Sequence, residues 1–212
     1  MLHVQSFTFN PFQENTYLVY NEKGECLIID PGMYQALDNK VLFRFIDKNK
    51  LTPKMVINTH THIDHVFGVK DCVERYQIPF GFHKLDLPIF ESAVSAATLY
   101  GLQYTKAPAA DFYIDESKEI SLGDDQLQVF LTPGHSLGSV CFYSKEYHFV
   151  IAGDVLFQMS IGRSDLPGGN YDTLIHSIHS KLLSLPDETI VYAGHGPKTH
   201  IGLERMNNPF LQ

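Results

Sequence analysis

The sequence THTHIDH occupies positions 59–65, directly after the apolar run MVI at positions 55–57. Three imidazoles and one carboxylate therefore crowd into the six positions from His60 to His65. Neutral imidazole nitrogens and carboxylate oxygens are ligands that zinc and its first-row neighbours prefer. Neighbouring histidines without a shared cation would instead titrate against one another. The stretch therefore predicts a metal site after a strand, with an exposed polar loop or hydrogen-bonded core histidines as the alternatives.

Three further candidate ligands follow apolar runs of the same kind. Residues 128–131 lead into His135, residues 149–152 into Asp154, and residues 189–193 into His195. Short apolar runs that end in glycine or proline predict buried strands. Because loops after strands gather at a sheet edge and carry function, we expect these side chains to meet the first cluster there.

The combined set offers seven donors: His60, His62, Asp64, His65, His135, Asp154 and His195. A single catalytic zinc uses three protein ligands and keeps one position open, so seven donors predict two metal ions. His60 and His62 point the same way in an extended segment, and with His135 they are assigned to the first ion. Asp64, His65 and His195 are assigned to the second ion. Asp154 is the predicted bridge, because a carboxylate has two oxygens.

This arrangement predicts hydrolytic chemistry. With two ions roughly 3.5 to 4 Å apart, a shared water exists as hydroxide near neutral pH and is the expected nucleophile. One ion then polarises the scissile carbonyl and the other steadies the departing atom. Asp64 and Asp154 are accordingly the candidate catalytic residues.

Other polar residues near the cluster receive supporting roles. Asp30 is predicted to hydrogen-bond loop amides rather than to act as an eighth ligand. Arg163 and Lys198 are candidates for substrate binding, through attraction of a carboxylate. For Arg163, an internal ion pair with Asp165 is the favoured alternative.

The rest of the chain predicts an α/β layered fold in one domain, residues 1–212. Strands are predicted within 4–20 and over 26–29, joined by a hairpin turn at 21–24, and helices over 36–49 and 171–185. Residues 84–105 read as a helical or irregular segment with Pro88 as its start and Gly101 as its break. We expect that segment to cap a sheet edge, with a role in shaping the pocket as the alternative.

Composition restricts the partners. The net charge of -8 argues against nucleic acid, which generally needs clustered lysine and arginine. No run approaches the length of a membrane span, and no secretory leader is recognisable. The three cysteines are odd in number and lie in apolar contexts, so we expect them to be reduced and buried. A cytoplasmic protein acting on a small molecule is predicted, and the sequence does not determine its oligomeric state.

The ordered set His60-x-His62-x-Asp64-His65, His135, Asp154 and His195 resembles the metallo-β-lactamase superfamily. That resemblance covers nearly the whole chain. It implies a four-layer αβ/βα sandwich, in which two mixed β-sheets lie face to face with outer helices, and a binuclear site at one edge.

Finer features resemble the small, single-domain glyoxalase II-like (hydroxyacylglutathione hydrolase-like) enzymes: residues 162–169, 194–199 and 204–210. The resemblance implies hydrolysis of a thioester such as S-D-lactoylglutathione with two divalent ions, zinc first and iron or manganese next. Longer members of that group hold glutathione with a C-terminal helical domain, whereas this sequence ends seventeen residues after His195. The thiol carrier therefore stays open.

Two alternatives of other classes remain. The first is a persulfide dioxygenase of the same superfamily, with one iron held by His60, His135 and Asp154. The second is a non-catalytic module that metal ions only stabilise. Structural zinc sites are closed and often rich in thiolates, whereas these donors include no cysteine.

Overall fold

A computed structural model describes all 212 residues of the chain. The strands are β1 (Leu2–Phe9), β2 (Glu14–Asn21), β3 (Glu25–Ile29), β4 (Thr52–Ile57), β5 (Phe80–His83), β6 (Phe112–Ile114), β7 (Ile120–Leu122), β8 (Asp125–Leu131), β9 (Val140–Ser144), β10 (Phe149–Gly153), β11 (Leu156–Phe157), β12 (Ser160–Ile161), β13 (Ile190–Ala193) and β14 (Thr199–His200). The helices are α1 (Ala36–Lys48), α2 (Ile63–Val66), α3 (Val69–Tyr76), α4 (Leu87–Leu99), α5 (Tyr171–Ser177) and α6 (Ile201–Asn207). A 3-10 turn (Lys84–Asp86) precedes α4, and a π-helical turn (Ile178–Leu182) continues α5.

The first sheet has the strand order β1-β2-β3-β4-β5-β6. Its first three strands pair antiparallel, and β3 to β6 pair parallel. The interior strand β4 ends at Ile57, immediately before the histidine cluster. The cluster therefore emerges at the carboxyl end of a parallel strand, where α/β sheets place their sites.

The second sheet has the strand order β14-β13-β10-β9-β8-β7. β10 and β13 are parallel neighbours, whereas β8, β9 and β10 pair antiparallel in sequence, so that β8 runs in the direction of β10. The carboxyl ends of β8, β10 and β13 therefore lie at the same edge. His135, Asp154 and His195 follow those three ends.

Alternation along the strands builds the core on both faces of the first sheet. In β3, Leu27 and Ile29 pack against residues of the second sheet such as Phe142, while Ile28 faces the helices with Leu42 of α1. This is the two-residue period of a strand buried on both sides.

Each sheet is covered by helices on its outer face. Residues of α1, α3 and α4 cover the first sheet, among them Leu42, Val69 and Phe90. Leu174 of α5 and Ile201 of α6 cover the second sheet. The order is helix, sheet, sheet, helix, which confirms the predicted four-layer αβ/βα sandwich.

Both helices predicted from the sequence are present, but the second changes from an α-helix to a π-helical turn. The helix expected over 36–49 is α1, and its Asp38 carboxylate accepts hydrogen bonds from the Tyr34 and Gln35 amides, each at 3.0 Å. The helix expected over 171–185 ends as an α-helix at Ser177 and continues as the π-helical turn. Buried residues at 174, 178 and 182 recur every four positions, longer than the 3.6-residue α-helical turn, and a wider turn keeps them on one face.

The structure also agrees with the sequence at the predicted hairpin turn and at the three cysteines. The predicted hairpin joins β2 to β3, and Gly24 adopts a positive φ of 78° in its turn. Cys26, Cys72 and Cys141 are free and buried, as expected. None of the helices combines the length and apolar character needed to cross a membrane.

Candidate metal centre

Loops after β4, β8, β10 and β13 meet at one edge of the two sheets. They bring together all the donors predicted from the sequence: His60, His62, Asp64, His65, His135, Asp154 and His195. Asp64 and His65 lie on the short helix α2, which begins directly after His62. The change from extended chain to helix turns the two halves of the cluster toward two different positions.

The first triad consists of His60, His62 and His135. Nε2 of His135 lies 3.1 Å from Nε2 of His60 and 2.8 Å from Nδ1 of His62. Burial lowers the pKa of His60 well below its usual range and lowers the pKa of His62 to about 3. These two rings are therefore neutral near pH 7, the form in which imidazole binds metals.

The second triad consists of Asp64, His65 and His195. Oδ2 of Asp64 lies 3.2 Å from Nε2 of His195 and 3.7 Å from Nε2 of His65. Burial opposes a positive charge on His195, but hydrogen bonds to Asp154 and Asp64 raise its pKa to about 10. Burial likewise opposes a charge on His65, yet the same two carboxylates raise its pKa well above the usual range. The carboxylates thus favour positive charge at this triad.

Asp154 lies between the two triads. Its Oδ1 is 3.5 Å from Nε2 of His65, and its Oδ2 is 3.4 Å from Nε2 of His195. The same Oδ2 is 3.6 Å from Nε2 of His135 in the first triad. One carboxylate therefore reaches both groups of donors.

The donor set fits a pair of divalent ions. Ligands at about 2.0 to 2.1 Å from a tetrahedral zinc lie roughly 3.3 Å apart, and the quoted separations of 2.8 Å and 3.7 Å fall on either side of that value. Oδ1 of Asp154 and both ring nitrogens of His65 are buried and make no hydrogen bond. Buried polar atoms without partners are costly, and metal coordination would satisfy the Asp154 oxygen and one His65 nitrogen.

Backbone carbonyls orient two of the imidazoles. Nδ1 of His135 donates to the Arg163 carbonyl at 2.7 Å, and Nδ1 of His195 donates to the Phe12 carbonyl at 3.0 Å. When Nδ1 carries the hydrogen, Nε2 keeps its lone pair for a metal. Both Nε2 atoms are those that face the other donors.

Asp30 and Glu14 support the cluster from within the first sheet. The Asp30 carboxylate accepts hydrogen bonds from the Thr59 amide at 2.7 Å and from its hydroxyl at 2.6 Å, and it lies 3.2 Å from Nδ1 of His65. Asp30, His60 and His65 are close enough to form a third donor group. Because both Asp30 oxygens already bind Thr59, the geometry supports the predicted hydrogen-bonding role instead. Oε1 of Glu14 lies 3.9 Å from Nδ1 of His65, and burial raises the pKa of Glu14. Sequence reasoning missed Glu14 because its strand carries no local sign of the site.

The loop that carries His195 is clamped by the first sheet. The side-chain amide of Asn15 donates to the backbone carbonyls of Ala193 and Gly196, at 3.1 and 2.8 Å. The Tyr17 hydroxyl also donates to the Ala193 carbonyl, at 2.6 Å. The position of His195 therefore depends on both sheets.

Gly194 is required by close packing. A Cβ at this position would meet the Asp154 carboxylate and the ring of His65. Only a residue without a side chain lets the backbone approach both donors.

Asp86 ties the two histidine loops of the first triad together. Its carboxylate accepts hydrogen bonds from the Thr61 amide at 2.9 Å and from the Gly138 amide at 2.7 Å. Burial raises the pKa of Asp86, and hydrogen bonds including those from Thr61 and Gly138 offset part of the rise. Sequence reasoning missed this residue; an aspartate just before Leu87-Pro88 signals a helix start, but not contact with loops far away in the chain.

A cleft of about 830 Å³ lies beside the donors, and five of the seven line it: His62, Asp64, His135, Asp154 and His195. Arg163 lines this cleft, and its guanidinium pairs with Asp165 through two hydrogen bonds of 2.8 Å, the arrangement that the sequence favoured. Lys198 is exposed and does not line the cleft, so the geometry does not support its predicted contact with substrate. The chain after His195 instead enters the edge strand β14.

Helix α4 lines the cleft, so the expectation that residues 84–105 only cap a sheet edge was wrong.

The fold and these donors agree with the comparisons with known proteins. The model of the metallo-beta-lactamase superfamily matches residues 9–195. The chain belongs to this superfamily, as the order of its ligands predicted.

Two curated relatives have nearly the same length as this chain. The probable metallo-hydrolase YqgX of Bacillus subtilis (strain 168) is 40% identical over 203 residues, covering 95% of this chain and 93% of the relative. The hydroxyacylglutathione hydrolase GloC of Haemophilus influenzae is 35% identical over 212 residues, covering 99% and 98%. The comparisons therefore indicate a metallo-hydrolase.

Two solved structures match along nearly their full length. BLEG-1 B3 metallo-beta-lactamase superposes with a TM-score of 0.92 at 39% identity, covering 99% of this chain and 100% of that one. TTHA1623, determined in a di-iron-bound form, superposes with a TM-score of 0.89 at 42% identity, covering 98% and 100%. The fold and the donor set together indicate divalent metal ions.

Proposed function

We propose that this chain is a binuclear-metal hydrolase that cleaves thioesters, with S-D-lactoylglutathione as the reference substrate. The observation that carries the proposal is the Asp154 carboxylate, which lies 3.4 to 3.6 Å from histidines of both triads beside an open cleft. The similarity to the hydroxyacylglutathione hydrolase GloC supports the choice of reaction.

The proposal assigns each triad to one ion. His60, His62 and His135 would hold the first ion, Asp64, His65 and His195 would hold the second, and Asp154 would contribute to both. Zinc is the first candidate because imidazole and carboxylate donors suit it. Iron and manganese are the alternatives, and the di-iron form of TTHA1623 supports including iron in the test.

The chain's own residues bind the substrate and orient the attacking water. Two bound ions supply Lewis acidity, which lowers the pKa of a bound water and polarises a carbonyl oxygen. The Asp64 and Asp154 carboxylates both line the cleft, so besides holding the ions they would be able to accept hydrogen bonds from an attacking water and to orient it toward the carbonyl carbon. The proposed partner is a small thioester or related ester, and no protein nucleophile is needed.

The test combines three measurements on one sample of purified, untagged protein: metal content, thiol release from S-D-lactoylglutathione, and oxygen uptake with a persulfide. We expect two divalent ions per chain, thiol release, and no oxygen uptake. One iron per chain with persulfide-dependent oxygen uptake would assign the protein to the dioxygenases.

Measurements on the same sample also distinguish the proposed hydrolase from a non-catalytic module that metal ions only stabilise. A metal that only stabilises the fold predicts full occupancy, raised thermal stability and no thiol release from any thioester. The open cleft beside the donors favours catalysis, because structural sites are closed.

A further inference from the structure

Helix α4 forms one wall of the cleft. Six of its residues line that wall: Ile89, Ser92, Ala93, Ser95, Ala96 and Leu99. Most of them recur at spacings of three and four and therefore share one stripe of the helix. The Ser92 hydroxyl donates back to the Ile89 carbonyl at 2.9 Å, so its hydrogen is used within the helix. The wall contains no charged side chain and is mainly aliphatic.

The apolar surface continues from α4 to the candidate metal ligands. The Tyr100 ring, just after α4, packs edge-on against Phe12 with ring centroids 5.2 Å apart. The Phe12 carbonyl in turn accepts the hydrogen bond from His195. Phe157 also lines the cleft and packs edge-on against the His195 ring, with centroids 6.2 Å apart. Apolar side chains therefore lie directly beside the reacting centre.

Two large apolar side chains of this wall remain exposed to water. Leu99 is 87% exposed and Tyr100 is 51% exposed. Exposed apolar surface at the rim of a pocket is typical of binding sites, since covering it is favourable. A ligand that extends from the donors along α4 would cover both residues.

The charges of the cleft do not suit a highly anionic ligand. Apart from the histidines, Arg163 is the only cationic side chain of the lining, and the Nε–Nη2 edge of its guanidinium is paired with the Asp165 carboxylate. Glutathione carries carboxylates of its own, and no unpaired cation of the lining faces them.

We infer that the cleft selects thioesters that carry an extended apolar group, and that this group lies along α4 between Leu99 and Phe12. The inference rests on the proposed thioester hydrolysis. The group belongs either to the acyl chain or to the thiol, and the same apolar contacts serve both, so the test treats the two sides of the scissile bond separately.

The test measures kcat/KM of the metal-loaded protein on two series of uncharged thioesters. The acyl series is S-acetyl-, S-butyryl- and S-hexanoyl-N-acetylcysteamine, and the thiol series is the acetyl thioesters of ethanethiol, butanethiol and hexanethiol. We expect kcat/KM to rise by up to about fourfold per added methylene in one series. The series that responds identifies the side that lies along α4.

Two matched variants test whether the dependence of kcat/KM on chain length arises from the α4 wall of the cleft. Leu99→Glu introduces a charge at the wall, and because Leu99 is 87% exposed the fold tolerates it. Val94→Glu introduces the same charge on α4 at a residue that is 43% exposed and does not line the cleft. Leu99→Glu should lower kcat/KM for the longest responsive substrate by about tenfold or more, whereas Val94→Glu should leave it unchanged.

The outcomes distinguish the inference from the proposed function. Hydrolysis that is independent of chain length in both series, or equal effects of the two variants, overturns the inference and leaves the thioesterase proposal standing. Faster hydrolysis of S-D-lactoylglutathione than of every uncharged thioester also overturns the inference and leaves the thioesterase proposal standing. If no thioester is hydrolysed by protein that has its full metal content, both proposals are wrong.

Discussion

Replacing Asp86 tests whether its carboxylate holds the first triad in place. In Asp86→Ala, the amides of Thr61 and Gly138 lose their acceptors, at 2.9 and 2.7 Å in the native structure, while both residues stay buried. Each unsatisfied buried donor costs about 1 to 3 kcal/mol, so we expect a loss of about 2 to 6 kcal/mol in the free energy of unfolding.

The same substitution should also weaken metal binding. Thr61 lies between His60 and His62, and Gly138 lies in the loop that carries His135. Asp86 binds the ligand loops through these backbone amides and not through a ligand side chain, so we expect zinc affinity to fall by about tenfold, the lower end of the range for lost outer-shell partners. Urea titration of the metal-free protein measures stability, and competition with a chelator of known affinity measures zinc binding.

Asp111→Ala is the matched control. The Asp111 carboxylate accepts one hydrogen bond from a buried backbone amide, that of Phe80 at 2.9 Å, and Asp111 does not line the cleft. We expect it to cost about 1 to 3 kcal/mol of stability without changing zinc affinity. Wild-type zinc affinity in Asp86→Ala, with a stability loss no larger than that of the control, would refute the role assigned to Asp86.

Three further predictions concern the donors themselves. Asp154→Ala should lose both metals and nearly all hydrolysis, measured by metal analysis and thiol release; a full metal complement with retained activity would remove the bridging role. Gly194→Ala should reduce metal content because its methyl group meets the Asp154 carboxylate and the His65 ring; metal analysis checks this, and an unchanged metal content would contradict it. Zinc binding near pH 7 should release protons, because the carboxylates raise the pKa of His195 to about 10 in the metal-free protein and the proton must leave before Nε2 can bind. Titration calorimetry in buffers of different ionisation enthalpy measures that release, and heats that do not depend on the buffer would contradict it.

Local patterns in the sequence were sufficient to predict the positions of the candidate ligands. His60, His135, Asp154 and His195 each follow an apolar run, and the structure makes each run a strand that ends at the same edge. This works because a buried strand between Gly or Pro turns is specified by residues adjacent in the chain. The period of apolar residues likewise predicted α1, including its burial of Leu42 and Ile46.

Contacts between distant segments could not be predicted in the same way. The Asp86 carboxylate accepts hydrogen bonds from Thr61, 25 positions away in the sequence, and from Gly138, 52 positions away. No rule based on neighbouring residues relates positions so far apart. The Phe12 carbonyl reaches His195 across 183 positions. A backbone carbonyl has no residue-type signature at all, so its choice as an acceptor is visible only in the folded chain.

Proximity in sequence was also misleading at the substrate end of the site. Lys198 is three positions after His195, yet it is exposed outside the cleft. Leu99 is far from every ligand in the chain, yet it lines the same cleft as Asp154. Substrate contacts depend on how α4 and the loops pack over the sheet edge, which is a property of the tertiary structure.

The arrangement of the donors also links metal binding to folding. Each triad combines residues from both sheets, since His60, His62, Asp64 and His65 follow β4 whereas His135 and His195 follow β8 and β13. Without cations, the fold holds two neutral imidazoles of the first triad close to a third and leaves buried atoms of His65 and Asp154 without partners. Such local conflicts with packing rules are expected where function, rather than stability, selects the residues. Metal binding relieves the conflict only when the two sheets are packed, so ions that occupy both triads should stabilise the sandwich as a whole and not the loops alone.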